Sequence, residues 1–232
     1  MILSAILLDD LPYNSYVMHG IYQPLFGLNN PDHTALHQRL KGLNQRTIYK
    51  VTTIGSAPNV PFINFHYVDT PNGIPQKSKG YLINLGGRFV TAGLSFQLSH
   101  WAMETNNNSH NLKHDRTATT TGGWIDPIGW NIEYVYIKQE FLPGKHDSGA
   151  VTTLQTKLRT WREIYAILNY SDANVTQNLG AGSSNEITAG IKSYLISGLE
   201  LEGLYRIMKN TPKDKDAATT NKSYQIQVHT FF

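Results

Sequence analysis

The sequence predicts an all-β protein, a transmembrane up-and-down antiparallel β-barrel of about 12–13 strands. Three observations predict it: segments in which apolar and polar residues alternate with a period of two, connections that are long and short in turn, and aromatic residues near the expected strand ends. With 40% hydrophobic and 16% charged residues, and 13 Tyr and 19 Gly among 232, the chain is too apolar for disorder and too weakly charged for an ordinary helical protein. No linker-like stretch divides it, so residues 1 to 232 read as one domain. The net charge of +3 comes from scattered Lys and Arg, which excludes a clustered nucleic-acid footprint, and the absence of Cys excludes disulfides and thiolate sites.

Residues 1 to 8 are the longest apolar run and stop at Asp9 and Asp10, well short of the ~20 residues that a spanning helix requires. They lack the basic start and small-residue cleavage site of a secretory signal, and read instead as a strand that ends at a tight turn before Pro12. Segments 13 to 24 and 161 to 171 are apolar on both faces, which leaves their register open. After the first of them, Asp32 can cap a short helix over residues 33 to 41, with Gly42 past its end. Strands are also expected near 46 to 55, 59 to 69, 79 to 87, 118 to 126, 148 to 158 and 185 to 196.

Alternation is clearest in four places. Leu94, Phe96 and Leu98 oppose Ser95, Gln97 and Ser99, and Ile132, Tyr134 and Tyr136 oppose Asn131, Glu133, Val135 and Ile137. Leu199, Leu201, Tyr205 and Ile207 oppose Glu200, Glu202 and Arg206. Tyr224, Ile226 and Val228 oppose Gln225, Gln227 and His229. Long polar loops are expected at 104 to 117, 142 to 147, 172 to 184 and 210 to 221, and tight turns at 88 to 91 and near 127, 159 and 197. In an up-and-down barrel adjacent hairpins open on opposite sides of the membrane, which produces this parity. An odd strand count implies N-terminal strands ahead of this chain, hence the C-terminal part of a larger barrel; the alternative is a stub on twelve strands.

A soluble barrel and a membrane barrel alternate alike and differ in which face meets water. Tyr81, Trp101, Trp124, Trp130, Tyr170, Tyr205, Tyr224 and Phe232 fit interfacial girdles. The expected lipid-facing set is Leu94, Phe96, Leu98, Ile132, Tyr134, Leu199, Leu201, Ile226 and Val228. The expected lumen-lining set is Gln97, Glu133, Lys157, Lys192, Glu200, Glu202, Arg206, Gln225 and Gln227, because carboxylates in hydrocarbon are costly and a hydrated interior removes the cost.

The terminal strand carries a resemblance. Phe232, with Val228, Ile226 and Tyr224 at alternate positions before it, resembles the C-terminal assembly signal of bacterial outer-membrane barrels, although Thr230 stands where a larger apolar residue is usual. The resemblance implies the outer membrane as location, and its lipids and the barrel assembly machinery as partners. The course from Leu11-Pro12-Tyr13 through Gly20-Ile21-Tyr22-Gln23-Pro24-Leu25-Phe26-Gly27 to Asp32-His33-Thr34-Ala35, and later from Gly80 to Arg206, is similar to porin-like barrels that accompany multihaem cytochromes c. That likeness implies a lumen able to house a partner cytochrome. Without a CxxCH motif, any haem belongs to the partner.

Candidate chemistry is sparse. His33 and His37 share a helical face at metal-ligand spacing but lack a third ligand, and read as loop histidines. His66, His100 and His229 sit in strands, where a hydrogen-bonded structural role is commonest. Ser99 and His100 are neighbours in a strand and point to opposite sides, so they form no nucleophile and base pair. Gly180-Ala181-Gly182 is not followed by the helix that a phosphate loop needs. The sequence thus predicts no enzyme, no metal site and no cofactor. The expected function is a porin-like channel for passive diffusion of small solutes, with the 32 to 41 helix narrowing the lumen. A scaffold sheathing a multihaem cytochrome and a soluble ligand-binding barrel are the alternatives.

Overall fold

A computed structural model describes residues 2–27, 48–57, 60–71, 77–107, 110–142, 145–175, 182–196, 199–212 and 218–230. The described residues form thirteen strands: β1 (Ile2–Leu11), β2 (Ser15–Tyr22), β3 (Tyr49–Ser56), β4 (Phe62–Asp69), β5 (Lys77–Phe89), β6 (Leu94–Asn107), β7 (His110–Ile125), β8 (Ile128–Leu142), β9 (Lys145–Trp161), β10 (Ile164–Val175), β11 (Gly182–Ile196), β12 (Leu199–Pro212) and β13 (Thr219–Thr230). They make one sheet in sequence order, with every neighbouring pair antiparallel. This is the up-and-down topology that the connection pattern predicts. β1 and β13 are the two edges of the described sheet.

Register fixes the facing of every side chain. Leu98 pairs with Leu85 and Thr119, Ile132 with Thr121 and Leu154, and Leu154 with Tyr170. These positions lie on the outer face, where Leu85, Leu98, Ile132, Leu154 and Tyr170 are all exposed. The opposite face is buried: Val135 pairs with Ala118 and Val151, and Val151 with Ala173, all of them almost without solvent contact. An apolar surface turned outward and a closely packed, partly charged interior are the reverse of a soluble barrel.

Three expectations about the elements change. The long loops expected at 104 to 117 and 142 to 147 are mostly strand: β6 and β7 pair as far as Asn107 with His110, and β8 and β9 as far as Leu142 with Lys145. Polar residues there are compatible with paired backbone, because strands longer than the ~9–11 residues that span a membrane continue into water. The turn expected near 159 is at Arg162 and Glu163, where Arg162 has a left-handed φ of 44°. Finally, Trp101 and Trp124 do not join an outer girdle. Trp101 lies within β6 and faces inward, paired with Leu82 and Arg116, and Trp124 shares the inner row with Gly129. The expected helix over 33 to 41, with His33 and His37, and the terminal Phe232 lie outside the described residues.

Candidate functional site in the barrel interior

The inner face divides into two zones along the strands. On the side of the longer connections, Leu82, Trp101, Met103, Ala118, Val135, Ile137, Val151 and Ala173 form an apolar cluster. The charged, hydrated interior that the sequence predicts does not extend there, since Val135 and Ile137 share the inner face with Glu133. Phe26 closes this cluster. The chain leaving β2 turns into the interior, so that the Phe26 ring meets Trp101 edge-on at 5.8 Å and is 2% exposed. The Tyr49 ring also meets the same indole edge-on, at 5.8 Å.

Polar contacts hold this inward segment. Asn84 donates through Nδ2 to the Leu25 carbonyl (3.0 Å), and the Gly27 amide donates to Ser99 Oγ (3.4 Å). Gly27 has a left-handed φ of 61°, and its Cα lies so close to Glu133 that a Cβ would collide with Oε1. Only glycine meets both demands. Asn84 Nδ2 also donates to His66 Nε2 (3.2 Å), which leaves the imidazole proton on Nδ1, directed at Thr53 Oγ1 (2.6 Å); Thr53 in turn bonds the Tyr22 hydroxyl. His66 is thus a structural member of a chain linking β2, β3, β4 and β5.

On the side of the tight turns the inner face is ionic. Lys192 Nζ lies 2.7 Å from Glu200 Oε1 and 3.3 Å from Glu202 Oε2, two carboxylates for one ammonium. Two inner rows further along, past Leu204, Arg206 Nε is 3.6 Å from Glu186 Oε2, and Arg206 Nη2 donates to Gln225 Oε1 (3.3 Å). β11, β12 and β13 bring these groups together, because Lys192 pairs with Glu202 and Leu204 with Gln225 in neighbouring ladders.

Of the expected lumen-lining residues, Lys192, Glu200 and Glu202 therefore form one cluster, and Arg206 and Gln225 a second with Glu186. Gln97 is on the same face and donates to Ser99 Oγ (2.8 Å), Glu133 is fully buried beneath Gly27, and Lys157 and Gln227 occupy inner rows of β9 and β13. Of the expected lipid-facing residues, Leu94, Phe96, Leu98, Ile132, Tyr134, Ile226 and Val228 are exposed, while Leu199 and Leu201 are half-buried on the face opposite Glu200 and Glu202. Tyr224 is exposed on the outer face, with its ring against Tyr205 at 4.9 Å. His100 faces outward, bonded to Thr117 Oγ1 (3.2 Å). Among the described residues no group of His, Asp and Glu is arranged to hold a metal ion.

Sequence reasoning missed the docking of Leu25, Phe26 and Gly27 and its acceptor set of Asn84, Ser99 and Glu133. The one signal for it is the apolar Pro24-Leu25-Phe26 run immediately after a strand, where a solvent-facing loop should be polar.

Solved structures share this architecture. The chain is similar to the outer-membrane expressed OmpT of Vibrio cholerae, at a TM-score of 0.71 and 10% identity over 94% of this chain and 77% of that one. It is similar to the outer membrane channel DcaP of Acinetobacter baumannii, at a TM-score of 0.70 and 9% identity over 93% of this chain and 72% of that one. It is also similar to an anion-selective porin from Comamonas acidovorans, at a TM-score of 0.57 and 12% identity over 78% of this chain and 57% of that one. No protein-family model matches the sequence, and no curated protein matches it either. The class that these likenesses establish is one of fold: the chain has the architecture of bacterial outer-membrane β-barrels.

Proposed function

We propose that the protein is a porin-like outer-membrane channel for passive diffusion of small solutes, narrowed by the segment after β2, and not an enzyme. The observation that carries this reading is the inversion of polarity across the sheet. Large apolar side chains such as Phe96, Leu98 and Tyr134 are exposed on the outside, while Lys192, Glu200, Glu202, Glu186 and Arg206 share the interior. The outer face suits lipid, and the inner network suits contact with water and permeating ions. Two of the similar structures, an anion-selective porin and an outer membrane channel, support the same reading. Outer-membrane lipids and the barrel assembly machinery are then its partners, and Tyr224, Ile226, Val228 and Phe232 the assembly signal.

The test is conductance in planar bilayers. The reconstituted protein should give discrete steps, and Phe26→Ala should enlarge them, because it removes the ring that closes the apolar half of the interior. A correctly inserted barrel without steps would sink the channel reading. No observation favours a cytochrome sheath, since the interior is partly filled by the chain's own Phe26. Co-purification with a haem-staining protein would revive that alternative.

A further inference from the structure

At the tight-turn mouth of the interior, five adjacent strands, β7 to β11, line an open cavity of about 480 Å³. Its walls are of two kinds. Trp124, Tyr165 and Tyr194 form a continuous run of edge-to-face rings, with centroids 6.2 Å and 5.9 Å apart and interplanar angles of 66° and 88°. Trp124 keeps its place because Gly129, its cross-strand partner, leaves vacant the space of a Cβ, which would run into the indole. Alongside the rings, on the same inner wall, the lining includes three cations, Lys157, Arg159 and Lys192, of which Arg159 and Lys192 flank Tyr165 across the strands, and the neutral amides of Asn131 and Gln155.

No carboxylate belongs to the lining, although several lie just behind it. Glu200 and Glu202 hold Lys192 from outside the cavity, and Asp126 holds Arg159 Nη2 in an exposed pair. Lys157 is different. Among the described residues no ion pair or side-chain hydrogen bond holds it, although the Glu200 and Glu202 charges act on it at longer range, and it lines the cavity with the aromatic run. An ammonium without an ion-pair partner, beside a wall of three aromatic rings, is the complement of an anionic group attached to a flat apolar body. A neutral sugar would satisfy the rings and leave the charge unmatched, whereas a simple inorganic anion would satisfy the charge and leave the rings unused. The volume lies within the ~300–1,000 Å³ of small-molecule sites.

We infer that this cavity is a binding site for small aromatic carboxylates, in which Lys157 receives the carboxylate and Trp124, Tyr165 and Tyr194 pack against the ring. The inference rests on the same water-accessible interior as the channel reading, but does not depend on conduction.

Calorimetric titration of the full chain, folded in detergent micelles and corrected for a protein-free micelle blank, tests it with four probes: benzoate, benzamide, acetate and maltose. Benzoate should bind saturably, and each of the other three at least tenfold more weakly. Lys157→Gln should weaken benzoate roughly tenfold, in line with loss of one charge-assisted contact, while Lys157→Arg should stay within about threefold of the parent. Gly129→Ala, which pushes the indole into the cavity, should weaken benzoate without touching any charge. Equal binding of benzoate and benzamide, preference for maltose, or a Lys157→Gln variant that binds benzoate like the parent would each overturn the assignment. Conductance steps without benzoate binding would leave the channel standing and remove this site; benzoate binding without steps would do the reverse.

Discussion

Two interior positions show how much depends on single atoms. At Gly27 a left-handed backbone and the pressure of Glu133 act together. A non-glycine residue in that conformation costs about 1–2 kcal/mol before any collision is counted, so Gly27→Ala should release the Phe26 segment. The expected outcome is a larger single-channel conductance, similar to that of Phe26→Ala, with unchanged insertion of the barrel; an unaltered conductance would show that the segment holds without this contact. At Lys192 the decisive feature is stoichiometry. Glu202→Gln removes the longer of two contacts and leaves Glu200 to neutralise the ammonium, so stability to urea should hardly change. Replacing both Glu200 and Glu202 by Gln leaves a buried cation bare, and breaking a buried pair in this way costs roughly 3–5 kcal/mol. The double variant should therefore unfold at clearly lower denaturant than the sum of the single changes indicates. Neither position is legible in the sequence. The alternation puts Glu200, Glu202 and Lys192 on one face, but only the β11 to β12 register sets them within reach of one another.

At the level of the strands, the sequence carries period and polarity faithfully and ends poorly. Glu200 and Glu202 against Leu199 and Leu201 gave the facing of β12 directly, because a residue's side follows from parity once one position is known. Ends are read from composition, and composition misled where β6 to β9 run on into water with Asn107, His110, Glu140 and Lys145 still paired. The same cause displaced Trp101. A tryptophan thought to sit near a strand end fits an outer girdle, whereas in a fourteen-residue β6 it falls well inside the strand, on the buried face. Facing also predicts a gradient of cost on the outer surface. Leu98 lies five residues past Gly93 at the end of its turn, and a tilted strand advances ~2.5 Å per residue along the membrane normal, so Leu98 is near the middle of a ~25 Å apolar band. Leu98→Arg should cost ~2–4 kcal/mol of folding stability, and Leu94→Arg, next to the turn, at most ~1 kcal/mol. Titration of both variants with urea in lipid vesicles measures the difference, and equal costs would argue that the outer face does not meet hydrocarbon.

For the molecule as a whole, the topology was legible because a closed or closing sheet leaves few choices: antiparallel neighbours, alternating connections and one apolar face specify it together. What the interior contains was not legible, since residues far apart in sequence meet there, Phe26 with Trp101 and Gly27 with Glu133. The distribution of interior charge makes a final prediction possible at this scale. Cations line the tight-turn mouth, where Lys157 has no ion-pair partner among the described residues and Lys192 and Arg159 are held by carboxylates set behind the lining. An ion entering from that side passes the row of Arg159 and Lys192, each held by carboxylates, and then reaches Lys157, which has no ion-pair partner; a cationic group in a low-dielectric mouth concentrates anions and repels cations. In a salt gradient the reversal potential should therefore show preference for chloride over potassium. Lys157→Glu should shift it toward potassium by exchanging that positive charge for its opposite. Glu202→Gln should move it the other way, toward chloride, because it takes a negative charge from behind the same wall. Shifts of opposite sign from two neighbouring substitutions cannot arise from a general loss of folding. If both move the potential in one direction, or neither moves it, the path of permeating ions does not pass this mouth.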